Sequence, residues 1–274
     1  MSAPDAGILA RLAVRQSGLA DRQPVMFIHG YGANQSVWAQ VAPAFERDHR
    51  VILLDNAGAG ESAPGSWDPE RHGSLWGYAQ DVNAVAAELN LRKTILVGHS
   101  VGGMVGALAA ASQPDRYARL VMVAPSARFL NDEGYVGGFD RAQIEQLVVA
   151  LDRDYAGWVR AMAPRLVGAT EGSGLAQTLE RMLSEATPLA QSMARSFLFA
   201  DHRAQLEQVR VPTLVMQGPD DPFVPLSVAR DVERRLPDGH LVQLGAAGHF
   251  PILSAPGEVI AAVRSFLERA EGVS

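Results

Sequence analysis

Thr94-Ile95-Leu96-Val97-Gly98-His99-Ser100-Val101-Gly102-Gly103-Met104-Val105-Gly106-Ala107-Leu108-Ala109-Ala110 is the stretch that decides the fold. Its first four residues are an apolar, β-rich run that reads as a buried strand. Its last seven are small and apolar and read as a helix. Between them stands G-x-S-x-G, Gly98 to Gly102. A strand that turns at once into a helix leaves no room for bulky neighbours, so glycines flank the serine and its hydroxyl ends exposed above the sheet. The motif by itself is common, and the strand before it and the helix after it are what give it meaning.

The same alternation runs outward in both directions. Val25 to Ile28, Val51 to Leu54, Leu120 to Val123, Thr213 to Gln217 and Leu241 to Leu244 read as further strands. Helical patterns lie near Val37 to Glu46, Leu75 to Leu89, Val101 to Ala111, Val228 to Leu236 and Glu258 to Arg269. Ile8 to Val14 is expected to add an antiparallel edge strand. This is the pattern of an α/β fold, a mostly parallel sheet with helices on both faces. The alternation stops after Val123. From about Ser126 to Arg203 there is only helical periodicity, interrupted by Gly137-Gly138, Pro164, Gly168, Gly172 to Gly174 and Pro188. A helical insertion after the sixth core strand is expected, dividing the chain into core (1–125), inserted subdomain (126–205) and core (206–274). Phe129, Phe139, Leu147, Trp158, Met162, Leu183, Phe197 and Phe199 supply its apolar content. Some of these pack helix on helix and others line a pocket above Ser100.

The bulk properties narrow the function. The chain has 274 residues, 47% apolar and 20% charged, which suits one large α/β domain with an insertion. A net charge of -6 with scattered arginines offers no concentrated basic patch, so nucleic acid is not expected as a partner. No apolar run approaches the roughly 20 residues that span a bilayer, and Met1-Ser2-Ala3-Pro4-Asp5 has no export signature. There are no cysteines, which excludes disulfides and thiol nucleophiles and suits a reducing cytoplasm. No His and carboxylate spacing points to a metal, and the glycine-rich Asp55 to Ser62 lacks a phosphate-binding lysine. No cofactor is expected.

A serine hydroxyl needs a base to remove its proton, and the base needs an orienting carboxylate. In a strand-elbow-helix architecture the chain order is Ser, Asp or Glu, then His. His202, His240 and His249 follow the serine. Of these, His249 sits in Ala246-Ala247-Gly248-His249-Phe250-Pro251, an irregular loop after the last strand, where open α/β sheets hold their sites. His202 reads as a solvated or capping residue and His240 as exposed. Asp220 and Asp221 both follow the strand ending at Gln217, and the spacing G-x-x-D-x-x-V-P favours Asp221. For the oxyanion of a tetrahedral intermediate, the backbone N–H groups of Val101 and Tyr31 are the expected donors, the latter in the loop His29-Gly30-Tyr31-Gly32. His29 is expected to hold that turn, and His99 to pack beside the pocket without transferring a proton.

Taken together, His29 to Gly32, Gly98 to Gly102, Gly218 to Pro225 and Gly248-His249 resemble the α/β-hydrolase superfamily. Asn34-Gln35-Ser36-Val37-Trp38, Ser126 to Asp132, Tyr135 to Phe139, Tyr155 to Trp158 and Ala200 to Arg203 are similar to a narrower group within it. That group holds the bacterial stress regulator RsbQ and the plant strigolactone and karrikin receptors. The resemblance implies a four-helix lid over a small apolar pocket, with Ser100, Asp221 and His249 as triad. It also implies that Tyr31, His99, Val101, Phe129, Phe139, Trp158, Met162, Ser196 and Phe250 surround the ligand. Expected activities are hydrolysis of a small apolar ester, lactone or butenolide-like compound, or ligand sensing on behalf of a partner such as a sensory phosphatase. Tyr31 and Met162 depart from the residues common in the group, so the plant ligands' shape does not transfer. Ser100 in place of aspartate speaks against dehalogenation.

Overall fold

The computed structural model describes residues 7–186 and 188–269; Met1 to Asp5, read above for an export signal, lie outside them. The first part of the chain runs α1 (Ile8–Arg11), β1 (Arg15–Gly18), β2 (Pro24–Ile28), β3 (Arg50–Leu54), α2 (Pro69–His72), α3 (Leu75–Glu88), β4 (Thr94–His99), α4 (Val101–Ser112) and β5 (Tyr117–Val123). There follow α5 (Arg141–Arg153), α6 (Tyr155–Leu166), α7 (Gly174–Ser184), α8 (Pro188–Ser192) and α9 (Ala194–Leu198). The sheet then resumes: α10 (Arg203–Leu206), β6 (Thr213–Gln217), α11 (Leu226–Arg235), β7 (Gly239–Gln243), α12 (Pro251–Ser254) and α13 (Pro256–Arg269).

The strands form one seven-stranded sheet in the order β1-β3-β2-β4-β5-β6-β7, parallel except for β1 against β3. Every residue of β4 and of β6 is buried, so both faces of the sheet are covered at its centre, as parallel sheets require. All four loops that carry the site leave the carboxyl ends of β2, β4, β6 and β7, where such sheets place their ligands.

Two local readings change. The N-terminal edge strand is Arg15–Gly18, whose four residues are all exposed, whereas Ile8–Arg11 winds into a helical turn. The apolar run at Ile8 offers one face to the core, and Leu12 just after it is fully buried. The stretch from Val37 to Glu46 is two 3₁₀ turns, Gln35–Trp38 and Ala42–Phe45. Asn34 caps the first through the Ser36 N–H, and Pro43 denies the second the amide that a continuous helix would need. The helical insertion leaves after β5, the fifth strand among the described residues and not a sixth.

Candidate active site

The turn from β4 into α4 holds Ser100 at φ +52°, ψ −120°, a conformation that costs energy for any residue bearing a side chain. The surroundings enforce it. Ser100 N–H donates to the Val123 carbonyl at 2.7 Å, tying the turn to the end of β5. A Cβ on Gly98 would lie 2.3 Å from the Gly102 carbonyl oxygen, and one on Gly102 would lie 2.3 Å from that of Ile28. The two flanking glycines are therefore demanded by close backbone approach.

Three side chains that are distant in sequence meet above this turn. His249 Nε2 stands 2.8 Å from Ser100 Oγ, and His249 Nδ1 stands 2.7 Å from Asp221 Oδ2. The Asp221 carboxylate is fully buried and the imidazole nearly so. Asp221 Oδ1 accepts the Phe223 and Val224 N–H groups at 2.8 and 3.0 Å, and Oδ2 also accepts the Gln217 side-chain amide at 2.9 Å. Burial pushes the Asp221 carboxyl up, but the His249 charge and these hydrogen bonds outweigh it and hold its pKa below the usual carboxylate value. An ionised carboxylate only accepts, so the proton on His249 sits on Nδ1 and the Nε2 lone pair faces the serine hydroxyl. Such an arrangement can draw a proton from Ser100 as its oxygen attacks a carbonyl carbon.

The other sequence candidates divide. Asp220 is exposed in a left-handed turn conformation and takes no part. His240 is exposed and pairs with Asp238. His202 is buried, not solvated: its backbone N–H donates to Ala127, and burial pushes its pKa down. His29 fastens two loops, since Nε2 accepts the Asn56 N–H at 2.9 Å and Nδ1 donates to the Gly30 carbonyl at 2.9 Å. The amides of Tyr31 and Val101 donate to no backbone carbonyl among the described residues.

Above Ser100 lies a cavity of ≈ 50 Å³, lined by apolar side chains with Ser100 and His249 at its floor. His99, Phe129, Trp158, Phe250 and Tyr31 line it. Val101 is buried behind the elbow and not part of the wall. Three further expectations fail. Phe139 stands behind the wall, its ring packed on Phe129 and Phe223 at 6.5 and 5.9 Å between centroids. Ser196 turns its hydroxyl onto the carbonyl of Met193, the residue that caps its helix, 2.7 Å away. Met162 is half-buried on α6 outside the lining, where the stacked Tyr155 and Trp158 rings and Leu166 fill the wall. In their place the cavity has Tyr155, Phe197 and Phe223, together with Leu147 and Leu151 one turn apart on α5. Phe223 was within reach of sequence reasoning, because it follows Asp221 by two residues in the same loop.

A family model described as alpha/beta hydrolase fold matches residues 23–256. The karrikin insensitive 2 receptor IA of Petunia hybrida is 38% identical over 234 residues, 85% of this chain and 85% of that protein. The strigolactone esterase D14 of Arabidopsis thaliana is 35% identical over 264 residues, 96% of this chain and 98% of that protein. Among solved structures, a hydrolase from Oleispira antarctica superposes with a TM-score of 0.90 at 30% identity, covering 95% of this chain and 96% of that one. No helix among the described residues is long and apolar enough to cross a membrane.

Proposed function

Because this chain belongs to the alpha/beta hydrolase fold family, we propose that it is a serine hydrolase acting on a small apolar ester, lactone or butenolide-like compound. The observation that carries this reading is the unbroken hydrogen-bonded line from Ser100 Oγ through His249 to Asp221, at 2.8 and 2.7 Å. Ser100 Oγ attacks the carbonyl carbon while His249 Nε2 takes its proton. The tetrahedral oxyanion is received by the Tyr31 and Val101 amides. Collapse expels the alcohol or enol, which takes the proton back from His249, and leaves an acyl ester on Ser100. Water, deprotonated by the same imidazole, then releases the acid. Asp221 keeps its charge throughout and stabilises the imidazolium. Residues 126–205 act as the lid, and the narrow cavity restricts the acyl part to a small apolar group.

The test is hydrolysis of p-nitrophenyl acetate, p-nitrophenyl butyrate and a fluorogenic butenolide by the purified protein. Turnover is expected with the parent and at background level with Ser100→Ala, and a fluorophosphonate is expected to add one mass increment, mapped to Ser100. Undiminished turnover by Ser100→Ala, or an adduct on another serine, overturns the assignment.

The relatives named as receptors favour a second reading, in which ligand capture or slow hydrolysis signals to a protein partner such as a cytoplasmic sensory phosphatase. Affinity capture with and without a butenolide separates the two. A partner retained only in the presence of the ligand supports signalling, and rapid turnover with nothing retained supports metabolism.

A further inference from the structure

We propose that His99, the residue before the serine, is a positioning residue that fixes the His249 backbone against the elbow and takes no part in proton transfer; this rests on the hydrolase reading above. The His99 side chain is fully buried at the meeting point of three loops of the site. Its Nε2 lies 2.8 Å from the His249 carbonyl oxygen, and since a carbonyl only accepts, Nε2 carries the proton and donates. The His249 N–H is itself bound, donating to the Leu166 carbonyl at 2.7 Å. The base is thereby gripped by its backbone on both sides, at the amide by α6 and at the carbonyl by His99. The imidazole plane is further set by ring contacts, 4.5 Å to Phe250 and 5.2 Å to His249 between centroids.

The opposite edge of His99 reaches the loop after β2. Nδ1 has no hydrogen-bond partner among the described residues and faces Gly30. A Cβ at Gly30 would lie 2.9 Å from that nitrogen and 3.2 Å from Ser100 Cβ. The glycine thus lets the loop carrying the Tyr31 amide rest directly on His99 and Ser100. One ring fills the space between oxyanion loop, elbow and base. Burial first, and then the neighbouring His249 charge, push the His99 pKa down to about 3. It therefore stays neutral when His249 becomes an imidazolium, and no second cation opposes proton uptake from the serine.

The experiment compares His99→Leu, which keeps bulk and removes the donor, with His99→Gln, whose Nε2 amide reaches the position of the imidazole Nε2. Steady-state kcat and KM for p-nitrophenyl butyrate, the rate of fluorophosphonate labelling at Ser100 and the melting temperature are measured for each. In folded His99→Leu, kcat and the labelling rate are expected to fall roughly 10- to 100-fold, as for a base displaced by a fraction of an ångström. KM is expected to stay within about threefold, and His99→Gln to recover most of the lost rate. Full kcat in folded His99→Leu overturns the proposal, as does a loss confined to KM, which would make His99 only a wall of the pocket. Failure of His99→Gln to exceed His99→Leu overturns it as well. Should His99→Leu not fold, His99→Asn replaces it: its shorter amide falls short of the His249 carbonyl, and full kcat in that variant overturns the proposal equally. Failure of the hydrolase reading shows elsewhere, as turnover that survives Ser100→Ala.

Discussion

The floor and the roof of the cavity are built on different principles. The floor belongs to the sheet: His99 ends β4, Ser100, Asp221 and His249 stand on the turns and loops that follow strand ends, and the four are joined by hydrogen bonds of 2.7 to 2.8 Å. The roof belongs to the insertion: Tyr155, Trp158 and Phe197 meet their neighbours through ring contacts of 5.5 to 6.3 Å at varied angles. Hydrogen bonds have narrow distance and angle preferences, so the floor admits one arrangement. Ring packing is tolerant of angle and of substitution, so the roof admits many. On the proposed function, chemistry resides in the first and selectivity in the second. They touch at a few points, where Tyr31 Oη donates to the Gln191 carbonyl at 3.0 Å and where the Leu166 carbonyl accepts the His249 and Phe250 amides.

If that division holds, a change of one atom in the floor outweighs the loss of a whole ring in the roof. Asp221→Asn is the sharpest case. Asp221 Oδ1 accepts two backbone amides, so an asparagine there keeps its carbonyl oxygen on them and turns its NH₂ toward His249. The imidazole is then driven to the other tautomer, with a proton on Nε2 facing Ser100. A fall in kcat of about 10⁴-fold is expected with KM little changed. A loss under tenfold by stopped-flow or steady-state assay would break the comparison at its strongest point.

Phe197→Ala addresses the roof. Phe197 packs against Tyr31 and Phe129, each 5.5 Å away between centroids, and faces the cavity. Its removal enlarges the space above Ser100 without touching a hydrogen bond of the floor. The ratio of kcat/KM for p-nitrophenyl hexanoate over acetate is expected to rise about 10- to 100-fold, while kcat for acetate stays within about threefold. An unchanged ratio would mean that the floor sets selectivity too.

The same division decides what was legible in the sequence. Ser100 was legible because the glycine spacing and the strand and helix around it all answer to one steric demand. His249 and Asp221 were legible because proton transfer requires their residue types at strand ends downstream of the serine. The cavity lining was legible only in part. Helical periodicity gives the apolar face of α6 and α9, but Met162 and Ser196 are turned away from the cavity by neighbours that no single-helix pattern contains. The N-terminal edge was misplaced for a related reason: Arg15-Gln16-Ser17-Gly18 is exposed throughout and pairs through its backbone alone, leaving no hydrophobic pattern to read.

A smaller effect separates the halves by pH. His99 is neutral in the native floor, with its pKa pushed down to about 3 mainly by burial, against 6.5 for an unperturbed histidine. Below about pH 6.5 the unfolded chain binds a proton that the native state refuses, so this residue's contribution to stability declines as pH falls, by about 1.4 kcal/mol per pH unit, until about pH 3. In His99→Gln that contribution is absent, and the difference between its urea-unfolding free energies at pH 4 and pH 7 is expected to be smaller than the parent's. Phe197→Ala is expected to leave the parent's slope intact. Equal slopes in the parent and His99→Gln would show that His99 titrates alike in both states.

The smallest expected effect lies at the root of the insertion, where its two ends are joined by charge. Arg203 contacts Asp132 at 2.9 Å and Asp201 at 2.7 Å, its guanidinium lies 4.8 Å over the Tyr135 ring, and Arg128 contacts Asp201 at 3.0 Å. The two aspartates face solvent and the two arginine side chains are half-buried, so each pair contributes about 1 kcal/mol and weakens with salt. Arg203→Ala is therefore expected to lower the melting temperature by only about 2–4 °C, with the difference shrinking in high salt. Because the clasp holds the roof's frame and touches neither Ser100 nor His249, KM is expected to rise by less than about fivefold while kcat is unchanged. A fall in kcat without a change in KM would show that the clasp reaches the floor, through the Leu166 carbonyl that holds His249. The two halves would then be one mechanical unit, and the separation of chemistry from selectivity would fail at its root.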